Sequence, residues 1–270
     1  SFLPIKRARN LSVVFIHIPK TGGESLEASL TVEKSHAPAH VRKSQFLAPG
    51  TLSVTILRNP FSRMFSWFRF CLHGYGGALP FPKYHCLKAH EFLSENYYES
   101  EFPIAHAFEQ WLDFVFTKGR NVWITKTATD YLADTGQSML LIDYYIRFEH
   151  YEDDFALLSN VLGRDTRLKH NNTSADQKHI KFHKDEAESL SNFLRNKSLP
   201  LPGRNDSLFL QAPKGTFCYK SSIWKLLQVD YRKVYTLEAE QSVSSWFAVD
   251  MKTFNYSFEG ANIPSSRRKG

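Results

Sequence analysis

Apolar positions along this chain fall in two rhythms. Val13-Val14-Phe15-Ile16-His17-Ile18 and Leu52-Ser53-Val54-Thr55-Ile56-Leu57 are short runs rich in β-branched residues, the composition of strands buried in a sheet. Residues 143–149, Asp-Tyr-Tyr-Ile-Arg-Phe-Glu, predict a third strand. Each run leads into helical spacing: Leu26 and Leu30 after the first, a stretch opened by Pro60 after the second, and an acidic start at Glu152-Asp153-Asp154 closed by Gly163 after the third. Ala105, Phe108, Trp111, Leu112 and Val115 predict a core helix over residues 103–116. Strands alternating with helices predict an α/β fold, a central and mainly parallel sheet with helices on both faces.

The intervals are less regular. Residues 33–50 are polar and predict a loop or a broken short helix. Residues 71–100, with Gly74, Gly76, Gly77, Pro80 and Pro82 among aromatics and histidines, read as one irregular loop. A surface helix is expected over 182–194, a loop or hairpin over 199–215, and a last helix ending in Asp250, Phe254 and Tyr256. Residues 1–11 read as a basic lead-in and 265–270 as a frayed basic tail. No flank is large enough to stand alone, so residues 1–270 are expected to form a single domain.

Bulk properties narrow the classes. The chain has 270 residues and a formal charge of +7, which suits an anionic ligand, an anionic substrate or nucleic acid. No apolar run approaches the ~20 residues that span a bilayer, and the amino-terminal stretch lacks the apolar segment of a secretory leader. Cys71, Cys86 and Cys218 have no metal-ligand spacing, and no metal is expected. Cys71 and Cys86 either form a bridge in an oxidising compartment or sit as buried free thiols. Asn10, Asn171, Asn172, Asn196, Asn205 and Asn255 each open an Asn-x-Ser/Thr sequon, an excess that leans toward a secretory-pathway glycoprotein.

Chemistry concentrates between the first strand and first helix, in Pro19-Lys20-Thr21-Gly22-Gly23-Glu24-Ser25. The first N–H groups of a helix lack internal partners and carry partial positive charge. Glycines let the backbone close on an oxyanion, Lys20 adds a full charge, and Thr21 and Ser25 add donors. This is the composition of a cradle for phosphate or sulfate; the plain alternative is a strand-to-helix turn with no ligand. It is not a Walker A loop, because the lysine precedes the glycines. A kinase-like phosphotransferase would need that lysine and a magnesium-binding acid at a strand end. A second cation, Arg58, stands where the second strand ends and ligands collect in open sheets. Ser66 follows eight residues later. The plain readings are a strand-end salt bridge for Arg58 and a helix-face hydroxyl for Ser66.

His-Ile-Pro-Lys-Thr-Gly-Gly after an apolar strand, followed by Arg58 and Ser66, resembles the sulfotransferases that use 3′-phosphoadenosine 5′-phosphosulfate (PAPS). The likeness is greatest to the Golgi carbohydrate branch, the heparan and uronyl 2-O-sulfotransferases. It touches the chain at four places: these two, the third strand with its following helix, and the last helix. The resemblance implies a P-loop-kinase-like fold in which residues Lys20, Thr21, Gly22, Gly23, Glu24 and Ser25 hold the 5′-phosphosulfate. Arg58 and Ser66 would hold the 3′-phosphate. Glu24 departs from the family, where threonine is usual. The family also implies a histidine base in the loop before the second strand, here His40, with His36 second. Imidazole is suited to removing an alcohol proton near neutral pH.

The activity so implied is sulfuryl transfer from PAPS to a hydroxyl of a carbohydrate, releasing adenosine 3′,5′-bisphosphate, with Lys20 stabilising the leaving oxygen. Small alcohols or phenols and peptide tyrosine are the alternative acceptors. The alternative of another class is a non-catalytic basic module binding sulfated glycan or nucleic acid, though no nucleic-acid partner is expected here. The implied place is the Golgi lumen or secretory pathway, as a domain without its membrane anchor, with the cytoplasm as alternative. Arg63 reads as solvated, and Arg69 as sharing the helical face of Ser66.

Overall fold

Three parallel strands, β1 (Ser12–Ile16), β2 (Thr51–Leu57) and β3 (Tyr144–Arg147), lie in that order as the sheet of an α/β fold. The computed structural model describes residues 11–33, 35–73, 83–97, 102–118, 123–134, 140–163, 166–169, 192, 209–212, 216–219 and 227–261. The expected lead-in 1–11 (but for Leu11), the tail 265–270 and the surface helix over 182–194 (but for Asn192) lie outside these residues. The chain divides into two compact units, Ser1–Arg63 with Lys126–Thr173 and Phe247–Gly270, and Met64–Thr125 with Ser174–Trp246.

The first unit holds the sheet, and strand alternation sends its side chains to two faces. Phe15, Leu52, Val54, Ile56, Tyr144 and Ile146 pack on one face against Leu26, Leu30, Phe155, Leu158 and Leu162. Those partners come from α1 (Gly23–Leu30) and α7 (Tyr151–Leu162). Each such buried side chain contributes about 1.5–3 kcal/mol. Ile16 and Leu57 turn to the other face, against Ala39, Phe46, Tyr131, Leu132, Phe254 and Tyr256. These belong to a 3₁₀ turn (Ala39–Arg42), α2 (Lys43–Phe46), α6 (Ala128–Leu132), α9 (Ala248–Phe254) and a short strand (Tyr256–Ser257). Helices therefore flank the parallel sheet on both faces.

Polar residues lock the register. Asp143 Oδ2 accepts the Ser53 N–H at 2.9 Å and its hydroxyl at 2.8 Å. The buried Thr55 hydroxyl donates to the Ile16 carbonyl. Gly163 closes α7 in the left-handed region at φ 63°, the conformation a glycine cap supplies.

The second unit packs α4 (Lys83–Asn96) on α5 (Pro103–Lys118), with α8 (Leu237–Trp246) also against α5. Phe68 packs at a tilt on Phe108 and Trp111 in its interior, and the Trp111 indole donates to the His85 carbonyl. The segment 71–100 is not one irregular loop. Helix α3 (Pro60–His73) carries through Cys71, and α4 occupies Lys83–Asn96. The buried residues of α4 are His85, Cys86, Ala89, His90, Glu91, Leu93 and Ser94. Their spacing is helical, but histidines, a cysteine, an acid and a serine stand where aliphatic residues make the pattern visible. Cys71 and Cys86 are joined in a disulfide, which decides between the two states open to them. Residues 209–212 and 216–219 pair as an antiparallel hairpin, one of the two forms expected for that region.

Candidate functional site

The glycine turn sits where β1 gives way to α1, as its composition requires. Gly22 is the N-cap of α1 at φ 88°, and the side chain of any other residue there would be strained. Its ideal Cβ would also lie 2.9 Å from the Phe148 ring. Lys20 takes φ 65°, a left-handed conformation rare for a long side chain. Two left-handed residues, Lys20 and Gly22, flank Thr21 and turn the backbone sharply into the start of α1, the end of a helix where partial positive charge collects. Gly23 opens the helix with ordinary φ, but a Cβ there would meet the His17 ring at 2.5 Å.

Thr21 is buried, and its hydroxyl donates to the Ile18 carbonyl at 2.8 Å. Its hydroxyl proton stitches the turn, which leaves its backbone N–H as its donor to an anion. The Ser25 N–H donates to the Gly22 carbonyl at 3.3 Å, closing the first turn. Glu24 stands half-buried in that turn. With Glu27, Ala28, Thr31, Val32, Glu33 and Lys169 it lines an open groove of ≈ 690 Å³.

Behind the turn lies a group that the sequence reading passed over. His17, only 4 % exposed, holds its Nδ1 2.6 Å from Glu27 Oε1. Its ring meets Phe15 at 5.5 Å and His36 at 4.3 Å between centroids. His36 Nδ1 lies 2.9 Å from the His17 carbonyl. A carbonyl only accepts, so that nitrogen carries the proton and the neutral ring keeps its lone pair on Nε2. His36 and His40 are both exposed, His40 on the 3₁₀ turn Ala39–Arg42. Of the two expected histidines, His36 is the one whose ring packs on His17, just past the end of β1.

Arg58 extends from the end of β2 to the glycine turn. Its Nη1 donates to the Lys20 carbonyl at 3.0 Å and its Nε to the Ser62 hydroxyl at 2.7 Å. Its guanidinium lies 4.0 Å from the centroid of the Phe148 ring. The neighbouring Asn59 caps α3: its Oδ1 accepts the Phe61 N–H, while its own N–H donates to Glu149. Asn before Pro60 is a helix-start signal legible in the sequence. Ser66 lies half-buried on α3, within the second unit.

Arg63 is not solvated. It is 3 % exposed, and donates to the carbonyls of Pro19 and Lys126, each at 3.0 Å. Its proton affinity is lowered by desolvation, which the charge of Asp250 opposes. Asp250 accepts N–H groups from Ala128 and Thr129 at the start of α6. Burial pushes its carboxyl above the usual range, against those hydrogen bonds and Arg63. Phe254 and Tyr256 are core, as their spacing predicts. Arg69, in the second unit, donates to Gln228. The acids that follow β3 are staples: Asp154 takes a bidentate hydrogen-bonded pair from Arg147. Lys169 is held through its N–H by Ser29, and the residues after it lie outside the described ones.

Among the described residues no cluster of histidine, cysteine or acid is arranged to hold a metal ion. Among them, too, no helix is long and apolar enough to cross a membrane. No family model, curated protein or solved structure matches the chain.

Proposed function

We propose that this chain is a sulfotransferase that moves a sulfuryl group from PAPS to a hydroxyl, a carbohydrate hydroxyl first. The observation that carries the reading is the hydrogen bond from Arg58 Nη1 to the Lys20 carbonyl at 3.0 Å. Two anion-binding signals separated by 38 residues meet there. A nucleotide with one charged group at each end needs two such grips within its own length. The strained Lys20 backbone and the Gly22 cap support the 5′ end of the reading. Arg58 is assigned to the 3′-phosphate, where a guanidinium offers bidentate hydrogen bonds. The P-loop-kinase-like sulfotransferase fold is part of this proposal.

In the proposed reaction the acceptor oxygen attacks sulfur in line with the leaving phosphate oxygen. Lys20 and the backbone N–H groups at the turn into α1 compensate the charge that builds on that oxygen. His40 removes the acceptor proton. A second assignment has a specific observation behind it: His36 packs on His17 beside the turn and keeps its basic nitrogen on Nε2. The Cys71–Cys86 bridge supports a secretory compartment, where disulfides persist.

Transfer of labelled sulfate from PAPS to a panel of glycans, phenols and tyrosine peptides tests the reading. Lys20→Ala is expected to abolish transfer, and wild-type turnover in that variant rejects the assignment. His36→Ala and His40→Ala separate the two bases, because only loss of the base removes turnover while nucleotide binding persists. Salt-sensitive binding to heparin or DNA without PAPS turnover in any arm would favour the non-catalytic module.

A further inference from the structure

Phe148 opens the 3₁₀ turn Phe148–His150 directly after β3. Its ring edge abuts the turn, since Cε2 and Cδ2 lie 2.9 and 3.0 Å from where a Gly22 Cβ would stand. Its ring face carries the Arg58 guanidinium at 4.0 Å. The ring therefore touches both Gly22 and the guanidinium, while the guanidinium reaches the turn directly at the Lys20 carbonyl. The surroundings of the ring hold it in place. It packs against the core cluster that includes Leu26 of α1 and Phe155 of α7, and its edge meets Tyr151, whose hydroxyl donates to the Gly22 carbonyl at 3.4 Å. The next residue, Glu149, accepts the Asn59 N–H. Phe148 and Glu149 together hold the backbone exit and the side chain of the Arg58-Asn59 pair.

We propose that Phe148 is a positioning residue that fixes the orientation of the Arg58 guanidinium beside the glycine turn, making the site selective for ligands with two anionic groups over those with one. This rests on the reading of the site as a PAPS site. The physical cause is the negative face of the ring, which attracts the planar cation and fixes its orientation. Arginine held flat on one face keeps its donor edges directed along the ring plane, the geometry a second phosphate needs.

Titration calorimetry with adenosine 3′,5′-bisphosphate and adenosine 5′-phosphate tests the proposal on wild type, Phe148→Leu, Phe148→Tyr, Arg58→Ala and the Phe148→Leu/Arg58→Ala pair. Wild type is expected to prefer the bisphosphate. Phe148→Leu is expected to weaken the bisphosphate on the order of tenfold, the size of a partly desolvated cation–π contact, and the monophosphate less than about twofold. Phe148→Tyr keeps the ring face and restores the preference. In the Arg58→Ala background Phe148→Leu should add nothing. Pentafluorophenylalanine at position 148 keeps the ring's shape and reverses the charge of its face. It should reproduce the leucine result if leucine disturbs folding. Equal losses for both nucleotides, or losses that add in the double variant, overturn the role of Phe148 while the site reading stands. A wild-type chain with no preference for the bisphosphate overturns the site reading, and the inference with it.

Discussion

Gly23→Ala is the sharpest probe of how the turn is built. Gly23 has ordinary φ, so its backbone accepts any residue, and helix propensity alone favours alanine by up to about 1 kcal/mol. The tertiary structure reverses that preference. A Cβ at this position would stand 2.5 Å from His17 Cδ2 and Nε2 and 2.8 Å from Cγ. Carbon atoms rest at about 3.5–4.0 Å, so ring and helix must part by roughly 1 Å. The ring cannot yield cheaply: Glu27 holds Nδ1 at 2.6 Å, and Phe15 and His36 pack against it. Overpacking of this kind costs about 1–3 kcal/mol. Set against the propensity gain, the variant should lose about 1–2 kcal/mol, read as a lowered thermal midpoint. His17→Ala in the same chain makes room for the methyl group, so the double variant should be more stable than the two single losses predict by addition. Simple additivity, or a Gly23→Ala chain as stable as wild type, refutes the reasoning.

Arg63→Met should cost about 3 kcal/mol by chemical denaturation, because it removes the donor to the carbonyls of Pro19 and Lys126, the first of them buried, and the cation facing Asp250; a loss below about 1 kcal/mol contradicts the bracing role. Burial holds His85 down to about 4 and His90 down to about 3. Below about pH 6.5 the unfolded chain therefore binds protons that the folded chain refuses, and stability present above that pH falls as the medium approaches pH 4. Asparagine at both positions should flatten the decline in unfolding midpoint between pH 7 and pH 4.5, and an unchanged slope counts against it. Cys71 and Cys86 are 15 residues apart, a loop whose closure is worth about 3 kcal/mol in the chain-entropy view. Dithiothreitol should lower the wild-type midpoint and leave Cys71→Ala/Cys86→Ala unmoved; no effect on wild type would deny the bond a stabilising part.

Which features were legible depended on how local their cause is. The three strands, the glycine turn, the helix start at Pro60 and the cap at Gly163 could be read directly, since each follows from side-chain period or from backbone angles that few residues accept. Helix α4 was missed although its period is regular, because histidines, a cysteine, an acid and a serine fill much of its buried stripe. Arg63 was read as solvated because nothing near it in sequence needs a cation. Its acceptors are carbonyls 44 and 63 residues away. The same holds for Asp250, which caps a helix more than 120 residues upstream.

The candidate site divides along the same line. The order of residues alone determined a lysine, two glycines and a helix end at the tip of one strand and an arginine at the tip of the next, because those requirements are met within a few residues. Only the tertiary structure decided that Arg58 reaches the Lys20 carbonyl, that the Phe148 ring lies under its guanidinium, and that His36 rather than His40 packs on His17. Parallel pairing of β1, β2 and β3 brings three strand ends into one place, and no local pattern encodes distances between segments joined only through a sheet.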